Sequence, residues 1–134
     1  MKKYNHAALR YQVLAMLHNQ GPMTPTEITE QLADFFGLDE EERNETYEGR
    51  PNDKVFYKSV ATNDQHLKAA GLVEFSSHGY HSISERGEQA LIDNEATRKI
   101  ELRHLRQFPE YCQWALKFRK ASVSHDEIDD FLKL

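Results

Sequence analysis

Apolar residues in the first half of the chain fall at helical spacing. Leu9, Val13, Met16 and Leu17 form a stripe over residues 4–19 that stops before Gly21-Pro22 and predicts a first helix. Thr24-Pro25-Thr26-Glu27 supplies a capping hydroxyl, a proline at the first helical position and a glutamate three residues after the cap, a capping box that opens a second helix. Ile28, Leu32, Phe35 and Phe36 are its expected buried face and Gly37 its stop. Leu38-Asp39-Glu40-Glu41-Glu42 can start a turn or two before Gly49-Arg50-Pro51-Asn52 interrupts, which reads as a short acidic helix and a loop. From Asp53 to Ala70, Phe56, Val60, Asn63, Leu67 and Ala70 share one face and Gly71 ends the pattern, predicting a third main helix. Its other face carries Lys54, Tyr57, Lys58, Thr62, Gln65 and Lys68, all hydrogen-bond donors.

The period then shortens. Leu72-Val73-Glu74-Phe75 and Tyr80-His81-Ser82-Ile83 have strand character and are joined by Ser76-Ser77-His78-Gly79, which predicts a β-hairpin. Ser84 caps a fourth helix bearing Ala90, Leu91 and Ile92, expected to run on beyond Asp93 as a charged helical tract to Phe108. After Pro109, Tyr111, Ala115 and Phe118 stripe another helix with Trp114 on the adjoining edge. Ser124-His125-Asp126-Glu127 is a second capping box, opening a short helix with Ile128, Phe131 and Leu132. The fold expected is mainly α with a small β-hairpin: a winged helix-turn-helix over residues 1–92, followed by C-terminal helices over 93–134.

Composition narrows the class without naming an activity. With 134 residues, 39% of them hydrophobic and 29% charged, the chain has the size of one domain with an appended arm and can bury a core. No stretch approaches the roughly 20 apolar residues of a membrane span. Met1-Lys2-Lys3-Tyr4-Asn5-His6 does not open a signal sequence, so a soluble, cytoplasmic protein is expected. The single cysteine, Cys112, excludes an internal disulfide and a multi-thiolate zinc site.

Seventeen basic and twenty-two acidic residues give a net charge of −5, which argues mildly against an unaided nucleic-acid binder. The charge is segregated, however. Residues 38–50 hold six acids against Arg43 and Arg50, residues 91–120 are net basic, and the last fourteen residues are net acidic.

Three main helices followed by a hairpin is the order in which a third helix enters the major groove and a wing reaches a neighbouring groove or the backbone. The local sequence sharpens that reading: Phe56-Tyr57-Lys58-Ser59-Val60, then Leu67-Lys68-Ala69-Ala70-Gly71-Leu72-Val73, then Gly79-Tyr80-His81-Ser82-Ile83-Ser84-Glu85-Arg86-Gly87. Together with the acidic insert at 38–43, these segments resemble the N-terminal domain of the Mrr family of restriction proteins over roughly residues 8–92. The resemblance implies a winged-helix module that binds DNA. Thr62-Asn63 stands where the family usually has Trp-Ala, and Ser76-Ser77-His78 and Ser82 stand where its wing is often basic. Fewer wing cations imply weaker phosphate contact, or help from a partner subunit. Full-length members carry a nuclease domain after this module. The 42 residues beyond 92 are too few for a second α/β core, and no Glu-x-Lys or Gln-x-Lys triplet occurs, so no endonuclease activity is expected.

The remaining features have plain readings. His78 and His81 lack a third ligand nearby, so neither a metal nor another cofactor is expected. Cys112 beside Trp114 has no recognisable base and reads as a small buried hydrophobe. The acidic segment 39–48 reads as a solvated loop, or else as a DNA-mimicking or partner-docking surface.

The expected function is that of a non-enzymatic, restriction-system-like winged-helix protein that binds double-stranded DNA as a regulator of transcription or a reader. Tyr57, Lys58, Thr62 and Gln65 are the base-reading candidates, and Lys54, Lys68, His78 and Tyr80 the phosphate contacts. The alternative is a protein-protein adaptor that docks through the acidic insert. Ile100, Leu102, Leu105, Phe108, Tyr111, Trp114 and Phe118 expose more apolar area than a small winged-helix core covers, so a homodimer through them is expected; the alternative is that these helices fold back on the first helix.

Overall fold

The computed structural model describes residues 3–120, with side chains to Lys117. Within this range the order is α1 (His6–Gln20), α2 (Pro25–Phe35), α3 (Glu40–Asn44), β1 (Thr46–Tyr47), β2 (Arg50–Lys54), α4 (Val55–Ala69), β3 (Val73–Phe75), β4 (His81–Ile83), α5 (Glu85–Asp93), α6 (Leu102–Leu105) and α7 (Pro109–Lys120). The capping chemistry is local and strong. Asn5 accepts from the Ala8 amide at 2.8 Å to start α1, Thr24 and Glu27 cap α2 reciprocally, Asp39 and Glu42 do the same for α3, and Ser84 accepts from Gly87 at 3.0 Å to start α5.

The core sits where α1, α2 and α4 meet. Leu9, Val13, Leu14 and Leu17 of α1 pack with Ile28 and Leu32 of α2, Phe56, Val60 and Leu67 of α4, and Leu72 beyond it. β3 and β4 form the hairpin wing, Val73 opposite Ile83 and Phe75 opposite His81. A third backbone joins it. Met23, in the turn between α1 and α2, accepts from the His81 amide at 2.7 Å and donates to its carbonyl at 3.0 Å.

Several expectations are corrected. Residues 46–54 are not a plain loop but an antiparallel hairpin, β1–β2, with the Arg50 guanidinium over the Tyr47 ring at 4.4 Å. Phe35 is 58% exposed rather than buried, while Phe36 packs against Tyr4. Ile92 is also exposed. The charged tract from Asp93 to Phe108 is not one helix. α5 ends at Asp93, the Asn94 side chain donates to the Ala90 carbonyl at 2.8 Å, and Arg98 turns the chain with φ +56°. Residues 93–99 have no apolar stripe to bury. Ile100 does, and its amide bonds the Ala7 carbonyl at 3.0 Å, drawing the chain back onto α1.

This return path places the residues expected at a dimer interface against the chain's own core. Ile100, Leu105 and Tyr111 are fully buried and Leu102 nearly so, all within the chain's own core, while Phe108 and Trp114 are half-buried against it. The described part of that apolar area from Ile100 to Tyr111 is therefore covered mostly by the chain itself. The side chain of Phe118, and the capping box at 124–127 with its helix, lie outside the described residues. Arg86 fastens the start of α7. It bonds the Ala70 carbonyl at 2.8 Å, pairs with Glu110 and lies 4.2 Å over the Phe108 ring.

Two buried polar groups tie the C-terminal segment to α1 and α4. Arg10, 3% exposed, donates to the Ile100 carbonyl at 2.8 Å and to the Asn63 side chain at 2.7 Å. His66 of α4 meets the Tyr111 hydroxyl at 2.7 Å with the Trp114 ring edge-on to its own. Burial, and then the nearby Arg10, depress the His66 pKa to about 3, below its unfolded value of about 6.5. The folded state thus binds fewer protons than the unfolded one. This contribution to stability is complete above about pH 6.5 and is lost as pH falls toward 3. Denaturant titrations are expected to show stability falling by about 2 kcal/mol between pH 6.5 and pH 5, near the limiting slope for one group. His66→Gln is expected to flatten that slope; an equal slope in the variant would assign it to other groups.

Candidate nucleic-acid interface

Helical spacing on α4 lines up Lys58, Ala61, Gln65 and Lys68, and all four are exposed. The one acid in α4, Asp64, points inward and is 4% exposed. The outer stripe therefore carries two cations, an amide and a methyl group, with no carboxylate of its own helix.

The other predicted α4 residues are less available. Tyr57 donates its hydroxyl to Glu30 of α2, and that bond holds the phenol above its usual pKa. Lys54 occupies the N-cap position of α4 without a side-chain capping bond, half-buried, with Nζ 5.2 Å from the Tyr57 ring centre. Thr62 is half-buried one turn before His66, on the side of α4 that α7 covers. Lys58 and Gln65 are thus the base-reading candidates that the structure leaves exposed.

The wing presents the rest. Ser76 closes its turn, its amide donating to the Tyr80 carbonyl at 2.8 Å and its hydroxyl accepting from the His78 and Tyr80 amides at 3.3 and 3.2 Å. Gly79 takes φ +83°, a left-handed turn position that favours glycine. His78 and Tyr80 project exposed from this tip.

Sequence reasoning missed the pair that locks the wing to α4. His81 of β4 binds the Asp64 carboxylate through Nδ1, its ring stacks on Phe75 at 3.6 Å and 7°, and Lys68 lies 4.7 Å over the other ring. The second Asp64 oxygen, Oδ1, has no hydrogen-bond partner. Burial raises the Asp64 pKa, with His81 opposing it. A signal was present: one carboxylate on the apolar side of a helix and a histidine in a strand, each needing a polar partner if buried. What the sequence lacked was their meeting across seventeen positions. His81 is buried in this pair whereas His78 is exposed, and among the described residues no group of three His, Cys, Asp or Glu side chains could hold a metal ion.

The acidic insert flanks the same helix, because β2 runs directly into α4 and the Val55 amide bonds the Glu45 carbonyl at 2.9 Å. Some of its charge is neutralised. Lys3 pairs with Glu42 at 2.7 Å, but Arg43, the insert's own cation, is drawn to Asp34 of α2 at 2.7 Å, and Glu40, Glu41, Glu45 and Glu48 are exposed. Cys112 is half-buried, its thiol donating to the Arg106 carbonyl at 3.2 Å.

An exposed cation-bearing helix, a preceding helix joined to α1 by a short turn, and a hairpin hydrogen-bonded to that turn define a winged helix-turn-helix domain. The family model described as the Mrr N-terminal domain matches residues 7–93, more than half of the chain, and the chain belongs to that family. It therefore carries a restriction-system-related domain. No curated protein and no solved structure matches it. Among the described residues no helix is long and apolar enough to cross a membrane.

Proposed function

We propose that this chain is a non-enzymatic DNA-binding protein, a regulator or reader that engages double-stranded DNA through α4 and the wing. The observation that carries the reading is the carboxylate-free stripe Lys58, Ala61, Gln65 and Lys68 on a helix whose one acid faces inward. Lysine and glutamine present the donors that read guanine and adenine edges, and alanine suits a thymine methyl. Lys54, Lys68, His78 and Tyr80 take phosphate contacts, which fix register and carry no sequence information. The non-enzymatic part rests on chemistry. Metal-assisted cleavage of a phosphodiester needs carboxylates holding an ion beside a positioned lysine.

The test is selection of bound fragments from a genomic pool, with methylated and unmethylated DNA side by side, followed by anisotropy on the selected duplex. Replacing Lys58 and Gln65 together by alanine is expected to weaken that duplex by about 10- to 100-fold while changing random-sequence duplex by only a fewfold. Equal loss on both would remove base reading from α4.

The exposed Glu40, Glu41, Glu45 and Glu48 beside α4 favour a second reading, a protein-protein adaptor that docks through this acidic face. Absence of any duplex binding at low salt would select it.

A further inference from the structure

The return segment 94–107 lies beyond the matched domain and concentrates positive charge in an acidic protein. Arg98, Lys99, Arg103 and Arg106 are all exposed, and among the described residues none is engaged in an ion pair. The intervening acid is Glu101, so nine residues carry a net +3 within a chain of −5.

The arrangement is held from below. Ile100, Leu102 and Leu105 alternate with the cations and are buried, and Ile100 is pinned by both its amide, on Ala7, and its carbonyl, on Arg10. Apolar anchors between cations fix the backbone of the segment and leave the charges outside. Over this platform opens a cleft of about 680 Å³ lined by Asn94, Thr97, Lys99, Glu101, Arg103 and His104. Its lining is donor-rich, with a single carboxylate.

We propose that this cleft, with Lys99 and Arg103 in its lining and the exposed Arg98 and Arg106 flanking them in the segment, forms a second nucleic-acid surface, one that grips the phosphodiester backbone and lies outside α4 and the wing. It rests on the reading that the chain binds nucleic acid. A phosphodiester strand fits better than a free phosphate because the cations are spread along a turn and a short helix, matching a line of single charges instead of one dianion. It also supplies charge that the wing lacks, since the tip residues Ser76, Ser77 and Gly79 carry none.

The experiment follows the affinity of the full chain for a random-sequence duplex as salt is raised. Each neutralised phosphate adds about 0.9 to the log-log slope, so replacing Arg98, Lys99, Arg103 and Arg106 by alanine is expected to lower it by up to about 3.6. The melting temperature should stay unchanged, because all four side chains are exposed. A wild-type slope in the fourfold variant, with wild-type binding intact, overturns this surface and leaves the α4 reading standing. Full competition by inorganic phosphate at matched ionic strength, or preference for polyglutamate over duplex, also overturns it. Failure of the wild-type chain to bind any duplex at low salt overturns both readings.

Discussion

A chain ending after Asn94 is expected to lose its cooperative thermal transition, although it retains the whole matched domain. The cut removes Ile100, Leu102, Leu105 and Tyr111 from the core, and each fully buried side chain of this size contributes about 1.5–3 kcal/mol. It also strips Arg10 of its Ile100 carbonyl and Ala7 of its Ile100 amide, exposing polar groups that the intact chain keeps paired. The summed loss, on the order of 6–12 kcal/mol from the apolar side chains, matches the whole stability of an ordinary domain. Circular dichroism melts of the truncated and full chains are the measurement, with Tyr111→Ala as a milder companion expected to cost about 3–5 kcal/mol. A truncated chain that melts cooperatively near the full-length temperature would show that the return segment is an accessory. The family match stops at residue 93, but the buried core continues to Tyr111.

Gly87→Ala is expected to destabilise the protein by about 3 kcal/mol or more, against the helix propensity that would favour it. Alanine in a helix is worth about 0.5–1 kcal/mol over glycine, so propensity alone predicts a gain. Packing predicts the opposite. A Cβ on Gly87 would lie 2.3 Å from the Leu72 carbonyl oxygen and 2.6 Å from Ile83 Cγ1, so the first turn of α5 would have to leave the wing. The obstructing oxygen is backbone and accepts from the Ser84 amide at 3.0 Å, so it has little freedom to yield. Denaturant midpoints for Gly87→Ala and the exposed control Gln89→Ala decide it: a loss confined to Gly87 supports the contact, and equal stability would exclude it.

Much of the domain was legible because its signals are local. The capping box at Thr24 and Glu27, the stripe through Leu9, Val13, Met16 and Leu17, and the two-faced pattern of α4 each lie within a few turns of helix. The strands before α4 were not legible. Arg50-Pro51-Asn52-Asp53-Lys54 has poor strand propensity, and the hairpin is supported by the Arg50 and Tyr47 contact and by its place between α3 and α4. Phe35 fits the apolar spacing of α2 yet faces solvent, because Phe36 beside it takes the contact with Tyr4. In the candidate interface, spacing identified the outward face but not the neighbours that occupy it. Glu30 on Tyr57 comes from another helix, and the half-burial of Thr62 reflects the side of α4 on which α7 returns.

The contact between Met23 and His81 is made by main-chain atoms on both sides, so it asks nothing of the side chains at either position. Its mechanical consequence is a stiff stalk. The base of the hairpin is tied to the turn between α1 and α2 as well as to its own partner strand, and it can tilt only if that turn tilts with it. Compliance is left to the tip, Ser77 to Gly79, beyond the backbone bond between Ser76 and Tyr80. Such a tip can adjust its position while its root keeps a constant angle to α4. Charge can therefore change at Ser77 and His78, though not at the left-handed Gly79, without changing the direction in which the wing points.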